Sequence, residues 1–352
     1  MTVRLSKNAE VQEEINKPIF VVGSPRSGTS ILASCLGHHQ NIFRVPESNW
    51  MGDFAVNVAM SYQVGAARGI FSVLSAMGIS RDEFFSHIGR SINSLVLKHR
   101  CDLDRTRLIT TVQRFLKEEG LYLGEMTGQL DATTGAALRQ YGIDDEANAL
   151  LHSELADSFR TVASDSEHKT RWVDQTPEYS FHIYGLRKLF PCALFIHIVR
   201  DVDSVVRSML NFHRIAGTHL AANEEEAYKY WLRTVTACLK AEQAYGPNVV
   251  HRVRYNTLVE NAESTLRSLL DFLGEPYSAN CLEPLSARIN SSNVPADYKS
   301  DDPATDPAIV EGARRLSSEI EQTSQATEDS PAAADELEAE FNARVKYIAT
   351  FR

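Results

Sequence analysis

The sequence is poor in cysteine, has no long apolar run and carries no excess of positive charge. Its five cysteines, Cys35, Cys101, Cys192, Cys238 and Cys281, are odd in number and far apart, with no CxxC pair and no Cys/His ligand spacing. That argues against a disulfide framework and against a zinc site, and reduced thiols in a cytosol are the expected state. The opening segment MTVRLSKNAEVQEEINK is polar and lacks an apolar h-region, so it does not read as a secretory signal. The least charged stretch, Phe54 to Ser80, still carries Arg68 and many Gly, Ser, Asn and Gln residues, too polar for a membrane span. Thirty-six Lys and Arg against forty-six Asp and Glu leave a net charge of −10. A global electrostatic footprint for nucleic acid is therefore absent, while a local basic pocket is not. These absences predict a cytoplasmic globular protein with no membrane span and no nucleic-acid partner.

What remains is an ordinary globular composition over 352 residues, 43% hydrophobic and 23% charged. That is ample chain to bury a core without disulfides. Pro18-Ile19-Phe20-Val21-Val22-Gly23 reads as a buried strand closed by glycine. A turn through Ser24–Gly28 follows, then a helix from Thr29 that stops near Gly37. Residues 55–170 read as helical, with breaks near Gly78, Gly120–Gly128 and Gly142. Leu121-Tyr122-Leu123 is their one strand candidate. Further strands are expected at 171–174, 193–199 and 249–254. The apolar run of 193–199 suits a central parallel strand.

Helices are expected over about 179–190, 203–213, 224–245 and 262–273, then roughly 307–323. A terminal helix capped by Ser330-Pro331 should bury Leu337, Phe341, Val345 and Ile348. The fold class is α/β: a three-layer, phosphate-loop-type core with a mainly parallel sheet. The chain reads as one domain, with core segments 18–50 and 171–275, a helical insertion 55–170 beside the acceptor site, and a C-terminal extension 300–352.

Gly23-Ser24-Pro25-Arg26-Ser27-Gly28-Thr29-Ser30 has the frame of the loop GxxxxGK[ST], with Thr29 where lysine belongs. Loop N–H groups and a helix N-terminus still form an anion nest. The lysine that reaches the β- and γ-phosphates of a Mg-triphosphate is missing, and the loop's cation is Arg26. The bare alternative is a tight strand–helix turn. The cluster Arg26, Ser27, Thr29 and Ser30 favours anion binding.

Pro25–Ser30 resembles the 5′-phosphosulfate loop of sulfotransferases that use 3′-phosphoadenosine-5′-phosphosulfate (PAPS). Arg200-Asp201-Val202-Asp203-Ser204-Val205-Val206-Arg207-Ser208, directly after the strand 193–199, is similar to that family's 3′-phosphate element. There an Arg ends a strand and a Ser follows eight residues on, slightly over two helical turns. Val253–Glu260 more weakly resembles the late strand whose tyrosine, here Tyr255, stands beside the nucleotide. The resemblance implies a PAPS-dependent sulfotransferase that releases 3′-phosphoadenosine-5′-phosphate (PAP) and needs no metal. Its cofactor-binding residues would be Arg26, Ser27, Gly28, Thr29, Ser30, Arg200, Ser208 and Tyr255.

Transfer to a hydroxyl or amine needs a base and a clamp on the sulfuryl group. Glu47, just after the first helix, is the base that the resemblance to tyrosylprotein and related sulfotransferases supports, with Arg26 as the catalytic cation. His38 and His39 compete, although a histidine at a helix end is more often a cap. Gln175, in Asp174-Gln175-Thr176-Pro177, stands where the family often has a lysine, so Arg26 or another cation such as Lys299 would carry more of the load. Arg288–Asn293 is the nearest match to the family's C-terminal nucleotide loop. A small-molecule or glycan-type acceptor is expected, walled by the helical insertion. Phe71, Phe84 and Phe85 would serve there as core or as an apolar wall. A nucleotide kinase or NTPase with a degenerate loop and a non-catalytic nucleotide-binding module are the alternative functions.

Overall fold

The computed structural model describes residues 17–100, 105–141, 169–213, 219–286, 302–325 and 327–350. Five short strands, β1 (Ile19–Val22), β2 (Ile42–Arg44), β3 (Arg171–Asp174), β4 (Leu194–Val199) and β5 (Val250–Arg254), form one sheet in the order β2-β3-β1-β4-β5. Every pairing is parallel, with Ile19 opposite both Val173 and Leu194, and Phe195 opposite Val250. The expected neighbourhood of the four strands read from the sequence is therefore found. The fifth, β2, was not expected.

The central strands β1 and β4 are largely apolar on both faces because both faces are covered. Phe20, Val22, Trp172 and Phe195 point to one side. They meet α2 (Met51–Ala66), α4 (Arg81–Lys98), α7 (Ile183–Leu189), α9 (Glu224–Tyr245) and α13 (Pro331–Ala349). Ile19, Val21, Val173, Ile196 and Ile198 point to the other side, against α1 (Thr29–Gly37) and α11 (Ala262–Leu273). A third apolar cluster joins α8 (Val202–Leu210), α9 and α12 (Pro307–Gln322). At Gly89 on α4 a Cβ would fall 1.7 Å from Leu189 O, so that crossing requires glycine.

The helices start and stop as the local chemistry dictates. Asn223 caps α9 by accepting from Glu226 N at 2.9 Å, and α11 ends at Gly274 in the left-handed region. Ser330 caps α13 with Pro331 as its first residue, and Leu337, Phe341 and Val345 are buried in the main core as expected. The stretch 179–190 is instead a 3₁₀ turn, Pro177–Phe181, followed by α7, and the helix after β4 ends at Leu210 rather than His213.

Residues 55–141 hold α2, a 3₁₀ turn (Gly69–Phe71), α3 (Val73–Ala76), α4, α5 (Arg105–Glu118) and α6 (Ala132–Tyr141), with no strand among the described residues. The strand candidate Leu121–Leu123 is a loop. Its Tyr122 is buried against Leu116 and Leu138, and its hydroxyl donates to Glu125 O at 2.7 Å, so a local turn wins over strand pairing. Gly142, Arg288–Asn293 and Lys299 lie outside the described residues. Among the described residues no helix is long and apolar enough to cross a membrane.

Candidate active site

The segment Gly23–Gly28 leaves β1 at its C-terminal end, where open α/β sheets present ligands. Gly23, Arg26 and Gly28 all take positive φ, at 146°, 69° and 106°. For Arg26 that is the left-handed region disfavoured by a side chain with a Cβ. The turn is closed by Ser27 N donating to Ser24 O at 3.1 Å and Ser27 Oγ donating to the same oxygen at 2.6 Å. Helix α1 starts at Thr29 with Gly28 as its N-cap and no side-chain cap. Its first N–H groups, with the positive end of the helix dipole, face the loop.

The distant motifs converge here. Arg26 Nε donates to Ser208 Oγ at 3.0 Å, across 182 residues of sequence, and its guanidinium sits 5.0 Å from the centre of the Phe212 ring. Arg200 donates to Arg26 O at 3.3 Å and stacks over Tyr255 at 4.4 Å. Tyr255 opens α10 (Tyr255–Glu260), and its ring in turn packs on Gly28, so close that a Cβ there would lie 2.5 Å from it. Arg26, Gly28, Arg200, Ser208 and Tyr255 are thus one constellation. Within it Arg200 Nε is buried without a hydrogen-bond partner. Phe212 was missed by sequence reasoning, because it lies past the end of α8, in a turn closed by its N–H donating to Met209 O at 3.1 Å.

Beyond Tyr255 a cleft of about 250 Å³ opens between β4, β5 and α12. Arg200, Arg254, Asn256, Glu260, Ser317 and Glu321 are among its walls. Arg254 Nη2 holds the end of α12 by donating to Ile320 O and Thr323 O at 3.0 and 2.9 Å. Its Nε is buried and unpartnered.

Glu47 is exposed, on the segment that leaves β2. The backbone there is pinned on both sides. Val45 N donates to Val173 O at 3.0 Å, and Ser48 Oγ and the Tyr179 hydroxyl share a hydrogen bond. Tyr179 also accepts from Met51 N at 2.9 Å, and Asn49 takes a left-handed φ of 57°. Asp174, fully buried, accepts from Thr176 N and Thr176 Oγ1 at 2.8 and 2.6 Å. Burial raises its pKa, against hydrogen bonds from Ser48 and Thr176 that lower it. One residue past Tyr179, Ser180 Oγ accepts from Gly23 N at 2.9 Å. The single turn Pro177–Phe181 therefore holds both the Glu47 segment and the first residue of the loop. Within electrostatic reach of Glu47 is Tyr230, whose hydroxyl donates to Glu178 at 3.0 Å. Burial first, then the Glu178 and Glu47 carboxylates, push the phenol's pKa up.

The histidines stand elsewhere. α1 runs back from the loop, so His38 and His39 lie at the opposite end of the strands, where β2 and β3 begin. His39 is buried; Asn41 N–H donates to its Nδ1 at 3.1 Å, which leaves Nε2 to donate to Pro276 O at 2.8 Å. His38 Nδ1 pairs with Ser34 O at 2.9 Å. Both cap and tie the helix end. Gln175 is buried after β3, and its Oε1 has no partner. No group of His, Cys, Asp or Glu that could hold a metal ion occurs among the described residues.

A family model described as the sulfotransferase family matches residues 101–279, a stretch that includes Arg200, Ser208 and Tyr255. The chain is 24% identical over 270 residues to an uncharacterised protein of Aquifex aeolicus (strain VF5), covering 76% of this chain and 26% of that one. It is 26% identical over 156 residues to a putative protein-tyrosine sulfotransferase of Caenorhabditis elegans, covering 43% of this chain and 56% of that one. It therefore spans only about a quarter to just over half the length of these curated relatives. Among solved structures, the sulfotransferase domain of the Synechococcus PCC 7002 olefin synthase aligns at 18% identity and a TM-score of 0.40, over 95% of this chain and 94% of that one. Sulfotransferase STF9 of Mycobacterium avium aligns at 16% identity and 0.40, over 93% and 83%.

Proposed function

The chain belongs to the sulfotransferase family, and from that premise we propose that it moves a sulfuryl group from PAPS to a hydroxyl or amine of a small-molecule or glycan-type acceptor. The observation that carries this reading is the joining of Arg26, Ser208, Arg200 and Tyr255 at one end of the sheet.

These residues suit the donor. The uncapped start of α1 and the loop N–H groups match a 5′-phosphosulfate, with Ser27, Thr29 and Ser30 at the same turn. Arg200, with its orphaned Nε, and Ser208 match a second phosphate on the ribose. The cleft past Tyr255 is small beside whole-ligand pockets of about 300–1,000 Å³. In this reading it takes one end of the nucleotide and leaves the loop for the other. The donor supplies an activated sulfuryl group with a phosphate as leaving group.

The chain's own residues do the rest. Arg26 and the loop N–H groups meet negative charge as it builds on the leaving phosphate. Glu47 accepts the proton that the acceptor's hydroxyl or amine gives up on attack. The Tyr179–Ser48 contact sets where that carboxylate stands. Gln175 offers a hydrogen bond without charge, which leaves the cationic duty to Arg26.

The test pairs turnover with binding. Radiolabelled PAPS incubated with acceptor pools should give a labelled product. Calorimetry should show PAP binding at least about tenfold tighter than adenosine 5′-monophosphate, since each charge-assisted contact contributes about 1.5–3 kcal/mol. Arg200→Ala should erase most of that preference. Equal affinity of the wild type for the two nucleotides would overturn the proposal.

A further inference from the structure

Of the three phenylalanines singled out in the helical region, Phe85 is core and Phe84 packs half-buried against it. Phe71 does neither: it is 88% exposed. Beside it Ile70 is 82% exposed, and Val64, Val73 and Met77 are exposed as well. Val64 stands on the last turn of α2, and the others lie on a knob that follows that helix. Leu74 folds back over Gly65, so close that a Cβ there would meet it at 2.7 Å. Ser72 caps α3 by accepting from Leu74 N at 3.2 Å, and Ser75 Oγ donates to Ala66 O at 3.2 Å. The Tyr62 hydroxyl closes the base by donating to Ile79 O at 3.0 Å. The knob is thus a built element whose small interior is filled by Leu74. Ile79 is half-buried at its base, and Ile70, Phe71, Val73 and Met77 face water.

Charge is distributed unusually over the same stretch. The chain carries forty-six acidic residues, yet none falls between Phe54 and Ser80. The one charge there is Arg68, exposed beside Gly69 and Ile70 at the tip.

We propose that this knob is a peripheral membrane contact: Ile70, Phe71, Val73 and Met77 enter the headgroup boundary of a bilayer, with Arg68 at the level of the lipid phosphates. A second copy of the chain is a poorer occupant. A stable interface takes about 20–30 residues a side, and the knob offers four exposed large apolar side chains. A lipid surface needs no shaped counterpart; binding follows buried apolar area plus attraction of cations to lipid phosphate. An acidic side chain at that depth would oppose entry, and the stretch has none. The contact is a surface one, since no described helix is able to span. α2, about 24 Å long at 1.5 Å per residue, joins the knob to the Glu47 segment. This inference does not depend on the sulfuryl-transfer reading.

Flotation of the full chain with vesicles of phosphatidylcholine, alone or mixed with phosphatidylglycerol, tests it. The wild type should float with the mixed vesicles. Ile70→Ser/Phe71→Ser should lower the bound fraction at least about tenfold, because two apolar side chains no longer leave water. Arg68→Gln should lower it about fivefold, the effect of one cation near an anionic surface. Far-UV circular dichroism checks that the double variant is folded, and Val73→Ser/Met77→Ser provides a second pair with the same expected loss. A wild type that never floats, or variants that float equally well, overturns the proposal. So does sedimentation velocity showing a wild-type dimer that the Ile70/Phe71 variant loses, which would assign the knob to a second copy.

Discussion

Ser48 and Tyr179 meet beside Asp174, and that contact fixes the backbone one residue after Glu47. Glu47 as the base therefore predicts a specific failure. Glu47→Gln keeps the shape and removes the basicity. It should bind PAP nearly as the wild type does and lose about 10²–10⁴-fold in turnover, the span of a positioned general base. His39→Ala should fail differently. It strips the partner from Pro276 O and Asn41 N–H in a buried place, so urea unfolding should shift to lower concentration while activity per folded molecule is retained. Near-normal turnover by Glu47→Gln beside a folded but dead His38 or His39 variant would reverse the two roles. The topology already argues against that outcome, because the histidines sit at the N-terminal ends of the strands, away from the loop.

Among the elements, β4 was the most legible and β2 the least. Leu194–Val199 is six residues of nearly unbroken apolar chain, buried because strands pair on both of its sides. Ile42–Arg44 is three residues at the sheet edge, too short to show a period of two. The strand–loop–helix around Gly23–Ser30 and the Arg200–Ser208 spacing were readable because each is local. The turn Pro177–Phe181 was not, because its partners Ser48 and Gly23 lie 131 and 157 residues away. One polar residue inside β4 carries a prediction of its own. His197 is fully buried, with Nδ1 at 2.6 Å from Glu242, whose carboxylate also takes a bidentate contact from Arg252. Burial alone would lower its pKa; Cys238 and the Glu242 carboxylate outweigh that and raise it to about 10. A raised folded pKa gives stability that is whole below the unfolded value near 6.5 and is lost as pH climbs towards 10. Urea unfolding of the wild type should weaken over that interval, at no more than about 1.4 kcal/mol per pH unit for one proton. His197→Asn should flatten this part of the profile, and an unchanged slope would remove His197 as its source.

The whole molecule is closed by its last described helix. Phe341 on α13 packs on Tyr184, with ring centres 5.2 Å apart, and against Gly185, while Val345 is fully buried in the same core. Phe341→Ala should cost about 3–5 kcal/mol of unfolding free energy, as large-to-small core changes do, read as a lowered denaturant midpoint. A loss below about 1 kcal/mol would mean that α13 adds little to the core. The distances along the chain between the loop and its partners also order events during synthesis. β1 is central, but its neighbours β3 and β4 begin at Arg171 and Leu194. At about 5–20 residues per second, the loop leaves the ribosome roughly 10–45 s before Tyr255 can close on Gly28. A nascent chain stalled before β5 should be blind to nucleotide, detectable as ribosome-bound chains that PAP does not protect from protease, and its exposed apolar strand would be a chaperone substrate for all of that time.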